Sequence, residues 1–232
     1  MRWLAVLLAL ALAGCATRMA KDGSTTTTVD VKYLAKTEVD RITDTVRVEV
    51  TAGLLLIADK LYRRNPREWK KAGLVSREAA VERLRLRQYR SFPEFGGARE
   101  RQAATLAFTE GYQGDRVAAL VFGLLTMTDA AFAHKSDFYI LDSLDEKKFY
   151  SCARNLEIAV WKLGNDRNAA GEAFLVSNEL DPNNRNISFE REFGRQIGLL
   201  DLMANVVADR HGRTLSRATQ SVATMIFLPV SF

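Results

Sequence analysis

Apolar residues recur along this chain mostly at the three- and four-residue steps of a helix. Between 29 and 64, Val39, Ile42, Val46, Val50, Ile57 and Leu61 fall on one line, the spacing that lays an apolar stripe along a helix. Residues 45–51 (TVRVEVT) alternate as a strand would, but the longer period continues on both sides and predicts helix throughout. Asn65-Pro66 stops it. A second helix is expected over 76–89, with Val81, Leu84 and Gln88 aligned. Phe92-Pro93 to Gly96-Gly97 reads as a loop whose phenylalanines fold back onto the core. A third helix covers 99–112, closed by Gly114. Asp115 is placed to cap a strongly apolar helix reaching Ala133, its carboxylate accepting free first-turn amides.

The second half continues in the same period. Ser143-Leu144-Asp145-Glu146 has the form of a capping box. Phe149, Cys152, Leu156, Val160 and Leu163 follow it on one face, up to Gly164. Residues 165–187 are polar except for the patch Ala173-Phe174-Leu175-Val176, and a hairpin could lie there. From Ser188, Phe189, Phe193, Ile197, Leu200, Ala204 and Val207 define the clearest stripe. Glu190 and Glu192 suit its first turn, and His211-Gly212 its end. A last helix is expected over 214–226. About seven helices with little strand predict an all-α fold, a bundle or an irregular helical array.

The first residues follow a different pattern. Arg2 adds a positive charge, and Trp3 to Ala13 is an unbroken apolar run. A membrane-spanning helix needs roughly 20 apolar residues, whereas a secretory signal has a shorter core behind a charged start. The run ends Leu12-Ala13-Gly14-Cys15, which resembles the lipobox of bacterial lipoproteins. The resemblance implies cleavage before Cys15, lipidation of its thiol and acylation of its freed amine, a multi-chain anchor of the kind that holds stably. Ala16 follows the cysteine in place of an inner-membrane retention Asp. The family rule then implies the outer membrane, facing the periplasm. The expected organisation is a signal peptide at 1–14, a lipidated cysteine with a flexible tether at 15–28, and one helical domain at 29–232. The tether follows from the small and polar residues of 16–28.

Two fragments, 61–66 (LYRRNP) and 179–184 (ELDPNN), resemble the helix end and turn of tetratricopeptide repeats. Their prolines lie 116 residues apart, not a multiple of the roughly 34-residue period. A generic helix-ending Asn-Pro or Asp-Pro is the better reading.

Composition narrows the chemistry. The apolar share is 47% and the charged share 26%, as in ordinary globular domains. With Cys15 given to lipid, Cys152 has no intramolecular partner, and its place in an apolar stripe predicts a buried, unreactive thiol. The two histidines, His134 and His211, each follow a helical segment, where a cation is favourable. No metal-ligand spacing, nucleotide loop or nucleophile motif occurs, so no catalytic residue, metal or cofactor is assigned. The acid pairs Asp142/Asp145 and Glu190/Glu192 could serve a glycosidase, but capping accounts for them.

Charge is the uneven feature. Residues 59–90 hold eleven Lys/Arg against four acids, net +7, leaving −2 for the other 200 residues. Tyr62, Trp69 and Tyr89 are interleaved. Arg63, Arg64, Arg67, Lys70, Lys71, Arg85, Arg87 and Arg90 are the candidate contacts for an anionic surface. The alternative is a solvated helix face whose long stems cover apolar surface. The expected function is a non-catalytic accessory or assembly partner of a cell-envelope complex. Its rivals are a binding module for peptidoglycan or lipopolysaccharide, and a cell-wall hydrolase whose carboxylates are not evident. Nucleic acid is not an expected partner in this compartment.

Overall fold

The stripe read over 29–64 becomes helix α1, Glu38–Arg64, including the stretch that alternates like a strand. The computed structural model describes residues 15–19 and 25–29, for their backbone, and 36–87, 90–139, 142–179, 186–210 and 227–230. Signal peptide 1–14 and the helix expected over 214–226 lie outside the described residues. Thr37 opens α1. Its hydroxyl accepts from the Asp40 N–H at 3.2 Å, and the Asp40 carboxylate accepts from the Thr37 N–H at 2.8 Å. Two first-turn donors are thereby satisfied reciprocally.

After α1 come α2 (Pro66–Lys71), α3 (Arg77–Arg87), a 3₁₀ turn at Pro93–Phe95, α4 (Glu100–Leu106), α5 (Arg116–Ala131), α6 (Glu146–Asn165) and α7 (Ser188–Arg210). The fold is all-α, with these seven α-helices among the described residues. Two strands precede them, β1 (Cys15–Met19) and β2 (Thr25–Val29), paired antiparallel with Cys15 opposite Val29. A tether is the expectation there. Four consecutive threonines, β-branched and at ease in extended backbone, suit the ladder.

Two compact units divide the chain: Met1–Asp44 with Asp137–Ser143, and Thr45–Ser136 with Leu144–Phe232. In the first, Lys36 is the hub. Its ammonium pairs with Asp44 and, at 3.2 Å, with Asp137, and lies 4.9 Å over the Tyr139 ring. Asp44 also accepts from the Phe138 N–H at 3.0 Å.

The second unit is built on α5, which is buried from Val117 to Ala131 and touches α2, α3, α4 and α6. Asp115 caps it as expected, accepting from the Ala118 N–H at 2.9 Å. Helix α4 lies close against it. A Cβ on Gly123 would stand 2.5 Å from the Ala104 nitrogen and 2.6 Å from the Glu100 carbonyl oxygen, so glycine is required. α4 stops at Leu106, short of the expected 112, and the Arg116 guanidinium donates to the carbonyls of Ala107, Thr109 and Tyr112 at 2.9–3.0 Å. Those donations fasten the loop that follows the shortened helix.

Phe92 and Phe95 do fold inward, stacked at 4.9 Å and packed on Phe122. The cap of α6 differs from expectation. The helix begins at Glu146, and Asp145, not Ser143, accepts the free amide of Lys147 at 2.9 Å. Helix α7 packs along α6. It also meets α1, where Lys60 donates to the Ser188 carbonyl at 3.0 Å and Gly53 makes room for buried Gln196. Asn155, fully buried on α6, exchanges hydrogen bonds with the backbone of Leu228 and so fastens the segment 227–230. No described helix is long and apolar enough to cross a membrane.

Candidate functional site

The basic segment contains α2 and α3, which touch each other. The fold divides its eight candidate cations into two groups. Arg63 pairs with Asp59 at 2.9 Å, Arg64 with Glu179 at 3.3 Å, Lys71 with Glu68 at 2.6 Å and Arg85 with Glu82 at 2.7 Å. Arg77 and Arg83, also in the segment, meet Asp59 and Glu94. Arg67, Lys70, Arg87 and Arg90 have no carboxylate partner among the described residues. Arg67, Lys70 and Arg90 are exposed, Lys70 lies 5.4 Å over the Trp69 ring, and Arg87 lies 5.8 Å over Phe92. Four of the eight candidates are thus neutralised at home, and of the other four Arg67, Lys70 and Arg90 project positive charge. Cys15 belongs to β1 by its backbone, and Tyr89 lies outside the described residues.

Beneath this segment sits a buried polar junction. The Tyr62 hydroxyl donates to Asp115 at 2.8 Å, and the Arg116 N–H donates to Glu68 at 2.8 Å. Burial raises the Asp115 carboxyl to about 6, against the Ala118 and Tyr62 hydrogen bonds that lower it, and the nearby Glu68 charge adds to the rise. The Tyr62 phenol is held above its ordinary range, by burial first and then by Asp115. Tyr112 is pushed up to about 12, mainly by burial, and its hydroxyl is buried without a partner. The junction ties α1, α2 and α5 together, and its partnered groups are explained by that structural work.

Other candidates fall into structural roles. Cys152 is fully buried, 3.6 Å from the Thr128 hydroxyl, with its thiol raised to about 12 by burial, which makes a thiolate nucleophile unfavourable. His134 bonds Asp129 at 2.6 Å at the end of α5, while His211 lies outside the described residues. Asp142 accepts from the Tyr139 N–H and Asp145 caps α6. Glu190 accepts from Asn178 at 2.9 Å, and Glu192 lies 3.7 Å from Lys60. Among the described residues no three His, Cys, Asp or Glu side chains converge as a metal site.

One feature escaped the sequence reading. A cleft of about 720 Å³ opens between the C-terminal half of α6, the segment 173–179 and the start of α7. Trp161, Val176 and Ile187 line it while still exposed to solvent, with Leu175 buried behind them. Glu157, Glu179, Glu190, Arg167, Asn165 and Asn178 supply its polar groups. Among the described residues of 165–187 there are isolated antiparallel bridges, Arg167 with Ala173 and Glu179 with Asn186, and 180–185 lie outside the described residues. The apolar patch at 173–176 was the available signal. No protein-family model, curated protein or solved structure matches the chain.

Proposed function

We propose that this chain is a lipid-anchored outer-membrane protein facing the periplasm, and that it serves without catalysis as an accessory or assembly partner of an envelope complex. The anchor reading is supported by Arg2, the apolar run and Leu12-Ala13-Gly14-Cys15. The binding reading is carried by one observation, the separation of Arg67, Lys70, Arg87 and Arg90 from the cations that the fold neutralises. A cation held beside its own carboxylate contributes little field at a distance. Exposed cations without such partners attract an acidic surface and speed encounter with it.

The test compares two charge reversals of equal size in the anchored protein. Arg67→Glu with Lys70→Glu removes outward charge, whereas Arg63→Glu with Lys71→Glu breaks internal pairs. In-cell crosslinking should lose its protein adduct with the first variant and keep it with the second. Added salt should weaken the contact, because the Debye length shrinks from about 10 Å at 0.1 M to about 3 Å at 1 M. Equal loss in both variants would refute the division of roles. Binding to purified sacculi that tracks Arg67 and Lys70, with no protein adduct in cells, would replace the protein partner by an anionic polymer. Cys15→Ala tests the anchor separately, since it should abolish incorporation of a labelled fatty acid.

A further inference from the structure

The donors and acceptors in the cleft beside α6 are unevenly used. Several of its donors are used within the chain. The Arg167 guanidinium donates to the carbonyls of Asp166 and Gly164 at 2.9 Å each. The Asn165 amide donates to the Trp161 carbonyl, and Ser177 to Leu163. The Asn178 amide nitrogen donates to Glu190. The excess lies in negative charge and in one acceptor. The Asn178 amide oxygen is buried with no hydrogen-bond partner, and a buried polar atom without a partner costs about 1–3 kcal/mol. Arg154 divides its guanidinium between Glu157 at 3.1 Å and Asp201 at 2.7 Å, so that trio keeps one negative charge in excess. Glu190 adds another, against the single charge of Arg167. Burial holds Glu157 above the usual carboxylate range, Arg154 opposes the shift and Asp201 adds to it.

Trp161 stands one helical turn beyond Glu157, on the same face of α6, and keeps 38% of its surface exposed. An indole beside a carboxylate suits a cation carried on an apolar stem. A sugar fits less well, because a neutral ligand would leave the cleft's excess negative charge unanswered. Ammonium and guanidinium groups bring donors alone. The chain itself supplies a precedent at the rim, where Arg64 reaches Glu179. The volume is that of an ordinary ligand site, roughly 300–1,000 Å³.

We propose that this cleft docks a basic segment of a partner polypeptide, seating a Lys or Arg side chain against Trp161, Glu157 and Glu190 while flanking apolar residues cover Val176 and Ile187. The site is independent of the cationic face on α2 and α3 and opposite to it in charge. A protein carrying both would bridge an acidic partner and a basic one.

The test uses the full chain in neutral phosphatidylcholine nanodiscs and a labelled hexapeptide alternating Leu and Arg, with empty nanodiscs as the blank. The peptide should bind saturably, and its counterpart alternating Leu and Gln should bind at least about tenfold more weakly. Glu157→Gln with Glu190→Gln, and separately Trp161→Ala, should each weaken the Leu-Arg peptide by a similar factor. Arg67→Glu with Lys70→Glu should leave it unchanged, which separates this site from the proposed function. Melting curves establish that the variants fold. A photo-crosslinking leucine in the peptide should label Val176 or Ile187, a readout that needs no substitution. Equal binding of the two peptides would overturn the proposal, as would labelling elsewhere. So would sedimentation showing that a second copy of the chain occupies the cleft.

Discussion

At the N-terminal end of α5 the Asp115 carboxylate takes a backbone N–H and a phenol, and both its oxygens are engaged. At the C-terminal end Asp129 gives one oxygen to an exposed histidine and buries the other without a partner. The backbone differs as well. Ala133 and His134 both turn left-handed just beyond the helix, at φ +54° and +59°, a conformation costly for residues with a Cβ. The same residue type at two ends of one helix thus meets different demands. The first end is where α1 and α2 join α5, so an unmade hydrogen bond would be enclosed there. The second end is a turn, and it has been left imperfect.

Removing the partnered acid should have the largest effect. Asp115→Ala takes away a cap and orphans the Tyr62 hydroxyl, and it should cost about 2–4 kcal/mol, read from the urea midpoint of unfolding. A loss under about 1 kcal/mol would mean the junction does not hold that end.

The pH dependence sharpens the contrast. Asp115 sits at about 6 in the folded chain against an ordinary 3.8, so the native state holds its proton more tightly than the unfolded state. The resulting stabilisation is complete below about pH 4 and fades as pH rises through about 6, on the order of 2–3 kcal/mol in all. Tyr62, Glu68, Arg83, Tyr112 and Arg116 are the titratable and charged groups that surround Asp115 and Tyr62. Asp115→Asn should flatten that part of the profile. An unchanged slope between pH 4 and 6 in the variant would show that another group sets it.

The smallest effect belongs to the imperfect end and has the opposite sign. Ala133→Gly relieves a left-handed residue at a helix terminus, where glycine is favoured. It should raise stability by about 0.5–1 kcal/mol, seen as a higher melting temperature. A loss would show that the turn is held by contacts of the Ala133 methyl group.

Local devices were legible in the sequence, and long-range ones were not. The stripes of α1, α6 and α7 and the Asp115 cap depend on neighbours within a turn or two, so spacing exposes most of them, although Ile42 is 44% exposed and Ile197 yields its place in the core to Gln196. Ser143 misled because Asp145 offers the same capping chemistry two residues later, and the chain uses the later one. Helix α2 is not legible in the sequence because Asn65-Pro66 reads as a stop. A proline also starts helices well, since its missing N–H lies among those the first turn leaves open. The charge count over 59–90 stated how many cations there are, not where their partners stand. Arg64 finds Glu179 at a separation of 115 residues. The cleft likewise needs three separate stretches brought together, and only the patch at 173–176 hinted at it.

Lys60 and Ser188 meet across 128 residues, and that contact bears on how the chain is made. Synthesis runs from the N-terminus, so Gly53 and Lys60 of α1 emerge long before the α7 residues that meet them, Gln196 and Ser188. Growth at about 5–20 residues per second leaves those contacts unmade for several seconds at least. During that interval Val50, Leu54, Ile57 and Leu61, all fully buried in the finished fold, are open to aggregation. A holding chaperone that recognises this stripe, and lets go when the last helix arrives, would suit a chain whose first and last long helices depend on each other.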